Sequence, residues 1–305
     1  LFVGRKKYWQ NTFLKEMGEK FTVSSSQLDG IGSSISFLRR KITETSDGLV
    51  MTPGTSVEKV VKAFEEKFGV ARSQKIPCSS EIQLEDNSPL LSPRDASAFR
   101  SVVGLCLYIG RERPDLMFTI KELASSMSTP TMTSLQRLRK MIGYMKPVGN
   151  VGVKLFTPVP GQGKNVDGTN QPWVLESYSD ADRSSNKSHR RSTSCGIHFI
   201  NNSFVYGSSR TQKTISLSSC ESELHSLVSC LCDGMFIVAC AEFILGEKVE
   251  HIQFTDSSSA RQLASRQGCG KVRHLSGKIL WIQERVNDGF VLLRQIPTAW
   301  NCADI

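Results

Sequence analysis

From residue 174 onward the chain alternates short apolar runs and helical stretches in an order that few folds satisfy. Val174 to Ser179 reads as a strand ending on acidic residues. Ser194–Ile200 and Ser203–Gly207 flank an Asn201-Asn202 turn and read as a hairpin. Ser218–Leu245 reads as one long helix. Its first residues, Ser218-Ser219-Cys220-Glu221, form a capping box, in which the Ser and Glu side chains satisfy each other's free backbone amides. Leu224, Leu227, Val228, Leu231, Met235, Val238 and Ala239 make its apolar stripe, and Gly246 stops it. Val249–Thr255 is a further strand, followed by a short helix. Leu275–Asn287 is helical, Phe290–Ile296 is a last strand, and Pro297 opens a loop that reaches Asp304. This order predicts a mixed five-stranded sheet flanked by helices, an α/β (α+β) class.

Four acids stand out by placement: Asp180 after the first strand, Glu223 near the start of the long helix, Asp256 capping the next strand, and Asp304 after the last strand. Strands joined through a helix run parallel, so Asp180 and Asp256 should emerge at one end of the sheet. Sites of α/β folds sit at such strand ends. Carboxylates gathered there repel one another unless a cation lies between them, and Mg²⁺ prefers carboxylate and water oxygens. Any one of these acids alone would be read as a helix cap or a solvated loop acid.

Residues 1–150 carry 22 basic and 15 acidic side chains, against 16 and 14 in residues 151–305. The basic excess suits a polyanionic partner and lies in the first half. There, Phe13–Phe21 reads as a short helix, Ile35–Ile42 as a strand and Ser56–Phe68 as an amphipathic helix. Cys78–Pro93 reads as an exposed connection, and Phe99–Ile109 as a buried segment. A helix opens at Pro114 and is closed by Pro130, and Thr133–Met145 is another helix. The last puts Arg137, Arg139 and Lys140 outward, as a solvated surface or as phosphate contacts. Thr157–Pro172, rich in Pro, Gly, Asn and Asp, reads as a linker and the best domain boundary.

The nine cysteines form no C-x-x-C pair and read as buried free thiols of a reducing compartment. No apolar run approaches the ~20 residues of a membrane helix, so no membrane partner is expected. The start, Leu1-Phe2-Val3-Gly4, lacks an initiator Met and signal-peptide anatomy and reads as that of a fragment.

Several motifs occur in a fixed order: Tyr178-Ser179-Asp180-Ala181-Asp182, Arg190-Arg191-Ser192-Thr193-Ser194, Leu217-Ser218-Ser219-Cys220-Glu221-Ser222-Glu223, Thr255-Asp256-Ser257 and Ala303-Asp304-Ile305. This run resembles the ribonuclease H domain of copia-type LTR retrotransposon polyproteins. The first half, through Phe13-Leu14-Lys15-Glu16, Ile35-Ser36-Phe37-Leu38 and Arg113-Pro114-Asp115-Leu116, is similar to the C-terminal end of the same polyprotein's reverse transcriptase. The resemblance implies a ribonuclease H-like domain over 173–305. It is preceded by a partial, thumb-like reverse-transcriptase region over 1–92, a helical connection or tether over 93–156 and a linker over 157–172. It makes Asp180, Glu223, Asp256 and Asp304 the catalytic, metal-binding carboxylates, with two Mg²⁺ ions, or Mn²⁺, as cofactor. Asp182 and Glu221 match flanking positions.

The implied activity is endonucleolytic hydrolysis of the RNA strand of RNA–DNA hybrids during reverse transcription, on a chain without the polymerase motif. The implied partners are the hybrid and the reverse-transcriptase core of the same polyprotein. The implied location is intracellular, in the cytoplasm, in virus-like particles or in the nucleus, and not secreted. Arg190 and Arg191 would touch the hybrid's phosphates or lie in a solvated loop. His274 matches a family position without a transferable role, and His189, His198, His225 and His251 read as structural or surface residues. Arg183 stands where the family has Trp, and Cys195 displaces a family glycine. These departures support an alternative, a catalytically decayed or co-opted nucleic-acid-binding remnant.

Overall fold

A computed structural model describes residues 12–22, 25–79, 86–156, 173–184, 186–187, 189–270 and 273–304. The linker expected over 157–172 and the residues Leu1 to Gly4 lie outside these. The first half holds helix α1 (Leu14–Gly18) and a four-stranded antiparallel sheet in the order β1 (Ser34–Phe37), β2 (Arg40–Thr45), β3 (Gly48–Thr52) and β4 (Val153–Phe156). The single strand expected over Ile35–Ile42 is therefore a hairpin. It reverses at Leu38 and Arg39, whose φ angles are 48° and 62°. Neither is a Gly or Asn, so the local sequence carries no turn signal. Tertiary contacts hold the reversal instead: the Tyr108 hydroxyl donates to the Leu38 carbonyl, and the Arg40 guanidinium donates to Glu112 and to Tyr108.

Four helices pack beside this sheet: α2 (Ser56–Phe68), α3 (Pro93–Ile109), α4 (Met117–Ser125) and α5 (Met132–Val148). Ser92 and Thr131 cap α3 and α5, accepting from the amides of Asp95 and Ser134 at 3.1 Å each. Val60, Phe64, Phe99, Val103, Leu138, Met141 and Ile142 form the shared core. The amphipathic spacing of α2 and α5 supplies it directly.

The second half is a five-stranded sheet in the order β7 (Ser203–Thr211), β6 (Thr193–Ile200), β5 (Trp173–Asp182), β8 (Val249–Thr255) and β9 (Leu292–Gln295). β5, β6 and β7 are antiparallel, while β8 runs parallel to β5 and β9 parallel to β8. This is the predicted ribonuclease H-like mixed sheet. β5 runs three residues beyond its expected end, so Asp180 lies within the strand, paired with Cys195 of β6. The Asn201-Asn202 turn has both residues at positive φ. β7 meets β4 where the Phe156 amide donates to Ser203 Oγ at 2.9 Å.

Helix α6 (Ser219–Leu245) crosses β5, β6 and β8, and α7 (Ser258–Ser265) and α8 (Ser276–Asn287) pack beside it. Leu224, Leu227, Leu231, Ile279 and Ile282 fill the space between them. Ser218 accepts from the Glu221 amide at 3.1 Å, but Glu221 reaches one residue further back than a capping box requires, to the Leu217 amide at 2.8 Å. Gly246 closes the helix at φ 69°. The expectation about apolar runs fails here: α6 is long and apolar enough, by length and composition, to cross a membrane. In this fold its inner face is buried on the sheet.

All nine cysteines are free, and only Cys106 and Cys230 are buried, so the expectation of buried thiols holds for those two alone.

Candidate metal centre

The parallel pairing of β5 with β8 brings Asp180 and Asp256 to the same end of the sheet. Glu223, one turn into α6, comes down on them. A carboxylate oxygen from each of Asp180, Glu223 and Asp256 lies within 4.8 Å of the other two. Asp304 lies close enough for its charge to act on Asp180 and Glu223.

Three side chains, Ser226, Thr298 and Asn301, hold the elements that carry these acids. Ser226 of α6 donates its hydroxyl to the Asp180 carbonyl and, at 3.1 Å, to the Cys195 carbonyl, which ties the helix across two strands. Thr298 donates to Asp256 Oδ2 at 2.8 Å. Asn301, buried, donates from Nδ2 to the Ser179 carbonyl at 3.1 Å and accepts the Ala303 amide at 3.2 Å. That pair of bonds pins the terminal loop beside the strand that carries Asp180. Sequence reasoning singled out none of Ser226, Thr298 or Asn301, because a hydroxyl or an amide in a loop looks the same whether it serves a site or solvent.

The electrostatics follow from crowding. Burial, then Asp256 and Asp304, push the Asp180 carboxyl up to about 6. Burial, then Asp180 and Asp256, push Glu223 up to about 8, with the Ala181 amide opposing. Glu223 Oε2 is buried without a hydrogen-bond partner. A buried carboxylate oxygen without a partner among like charges is a group that a cation would satisfy, and a donor set of oxygens alone suits a hard divalent ion. The residues present therefore fit a metal ion.

The other expected residues scatter. Arg190 and Arg191 are exposed on the loop between β5 and β6, and Arg190 has φ 57°. Arg183 donates to the Leu217 carbonyl at 2.9 Å. Asp182 is exposed at the end of β5. Glu221 turns away from the cluster towards His274, 3.6 Å away, and His225, 4.0 Å away. On α5, Arg137 lies near Asp86 and Lys140 is half-buried. Arg139 donates to the carbonyls of Phe68, at 2.6 Å, and Val70, at 3.2 Å, and lies over the Phe64 ring. Its guanidinium thus caps the end of α2. His198 and His251 are buried and joined through Ser177 Oγ, at 2.8 and 2.9 Å.

The strand order β7-β6-β5-β8-β9, with its three antiparallel and two parallel members, is that of a ribonuclease H-like mixed sheet. No family model matches the chain. The chain is 24% identical over 229 residues to the retrovirus-related Pol polyprotein from transposon RE1 of Arabidopsis thaliana; the match covers 74% of this chain and 14% of that polyprotein. It is 32% identical over 130 residues to the secreted RxLR effector protein 161 of Plasmopara viticola, covering 42% of this chain and 83% of that protein. The chain belongs to one sequence family with that effector protein, and retrovirus-related Pol polyproteins of transposable elements are among its relatives. A foamy viral protease-reverse transcriptase, solved with an RNA/DNA hybrid, overlays at a TM-score of 0.47 with 13% identity, covering 89% of this chain and 30% of that one.

Proposed function

We propose that residues 173–304 hydrolyse the RNA strand of RNA–DNA hybrids with the help of divalent metal ions. The observation that carries this reading is the convergence of Asp180, Glu223 and Asp256 within 4.8 Å, with Glu223 Oε2 left unpartnered. Asp180, Glu223, Asp256 and Asp304 would hold the metal, two Mg²⁺ ions in the fullest form of the reading. When bound, Mg²⁺ supplies a lowered pKa for the attacking water and neutralises charge on the departing 3′-oxygen.

The protein's own part is to hold the acids in place. β5 and β8 fix Asp180 and Asp256 through their parallel register. Asn301 fixes the loop bearing Asp304, and Ser226 locks α6 over the site. Burial and the charges of Asp180 and Asp256 push the Glu223 carboxyl up, and a bound cation would favour its charged form. Exposed Arg190 and Arg191, with Arg137 and Lys140 further off, are the side chains proposed to meet hybrid phosphates. Choice of strand would come from hybrid shape and the RNA 2′-hydroxyl. Residues 1–92 are proposed as a thumb-like part of a reverse transcriptase and 93–156 as its tether, and an intracellular setting accompanies that reading.

The test is hybrid cleavage by the wild type and by Asp180→Asn. The expected result is loss of metal-dependent cleavage in the variant with hybrid binding kept. Cleavage at the wild-type rate would overturn the assignment. Binding without cleavage in the wild type itself would favour the decayed remnant, a reading that Arg183 and Cys195 support.

A further inference from the structure

Helix α6 is apolar nearly all round in its second half, yet only one side of it is covered. Leu227, Leu231, Gly234 and Val238 lie buried on the inner side. The opposite side carries Cys232, Phe236, Ala239, Cys240 and Phe243, all exposed and spaced three and four apart. Phe236 is 72% exposed, Phe243 90% and neighbouring Ile244 78%. A helix apolar on all sides is normally enclosed, and a stripe at this spacing is the seam of a helix pair.

We propose that this stripe pairs with the same stripe of a second copy of the chain, antiparallel and centred on Phe236. Cys232 and Cys240 sit one turn to either side of Phe236, so a two-fold axis there places Cys232 of one copy opposite Cys240 of the other. The same axis sets Phe243 opposite Ser229. Beside Ser229 lies Arg210, 3.4 Å from its hydroxyl and bonded to Tyr206, so the ring meets a guanidinium and a half-exposed aromatic.

The area is adequate. Phe236 and Phe243 together leave roughly 300 Å² in water, taking about 200 Å² for a whole aromatic side chain. With Ile244, Ala239 and the thiols, the stripe reaches roughly 500 Å² per copy, and two copies reach ~1,000 Å², where specific interfaces begin. A lipid surface is the less fitting occupant. Asp233, paired with Arg210 at 2.9 Å, borders the stripe, and the inner side of the helix is already committed to the sheet.

The experiment uses the 305-residue chain in sedimentation and in thiol cross-linking with copper phenanthroline. The wild type should sediment at twice the chain mass at tens of micromolar, and Phe236→Glu should sediment as a monomer with an unchanged circular-dichroism spectrum. Cross-linking should join wild-type copies and fail in Cys232→Ser alone and in Cys240→Ser alone. It should return, as one bond per pair, when those two variants are mixed. A monomeric wild type, free or floating with phosphatidylcholine vesicles, would overturn the proposal. So would cross-linking that survives in either single variant, since that requires a parallel register or other thiols.

Discussion

Replacing Glu223 by Gln should make the metal-free protein more stable at neutral pH while removing its response to metal. In the fold the Glu223 carboxyl is pushed up to about 8, from an ordinary 4.5, by burial and by the charges of Asp180 and Asp256. A folded pKa above the unfolded one means that the native state binds the extra proton. The stability this contributes is complete below about 4.5 and is lost as pH rises through about 8. At pH 7 the mismatch spans about 2.5 units, and at 1.36 kcal/mol per unit it costs the fold about 3 kcal/mol. Gln keeps the shape of the side chain and removes the charge, so most of that cost should be recovered. Urea unfolding in a chelator should therefore show Glu223→Gln ahead by about 3 kcal/mol at pH 7 and level with the wild type at pH 4.5. Added Mg²⁺ should raise the wild type's midpoint at pH 7 and leave the variant's unchanged. Equal midpoints in chelator at pH 7, or an equal gain with Mg²⁺, would refute the reasoning.

Three further outcomes follow from neighbouring contacts. Asn301→Ala removes the bonds to the Ser179 carbonyl and the Ala303 amide and should cost about 2 kcal/mol, read by urea unfolding, with weaker metal binding by calorimetry as Asp304 loosens. Gly234→Ala places a methyl 2.4 Å from His251 Cε1, and overpacking of that kind should cost about 1–3 kcal/mol in the same unfolding assay. Burial holds His198 down to about 4 and His251 to about 3, so the unfolded chain binds more protons than the fold below about 6.5. Stability should therefore fall as pH drops from 6.5 towards 4, opposite in sign to the Glu223 effect, and urea midpoints of Glu223→Gln across that range will show it.

Much of the site was legible because its placement depends on period and punctuation. Ser218 and Gly246 mark the ends of α6, and strand–helix–strand order alone puts Asp180 and Asp256 at one sheet end. What escaped depends on partners distant in sequence. Leu38 and Arg39 turn the chain without a turn residue, because Tyr108 and Glu112 hold the reversal from 70 residues away. Arg139 looks like a solvated cation on a helical wheel, but the end of α2 lies within its reach. Asn301 is one amide in a polar loop until β5 is seen beneath it. The apolar outer face of α6 was hidden for a different reason. Ala239 read as part of the core stripe yet is exposed, and only the packing shows which side of the helix the core occupies.

The central claim is metal-dependent cleavage of the RNA strand of a hybrid. The direct test is a strand-resolved assay in which the 305-residue chain is incubated with an RNA–DNA hybrid, a DNA duplex and an RNA duplex, each labelled on either strand, with Mg²⁺ or with chelator. The account predicts fragments from the RNA strand of the hybrid alone, only with Mg²⁺, and none from Asp180→Asn. Fragments that persist in chelator, or DNA-strand cleavage at the same rate, would contradict it.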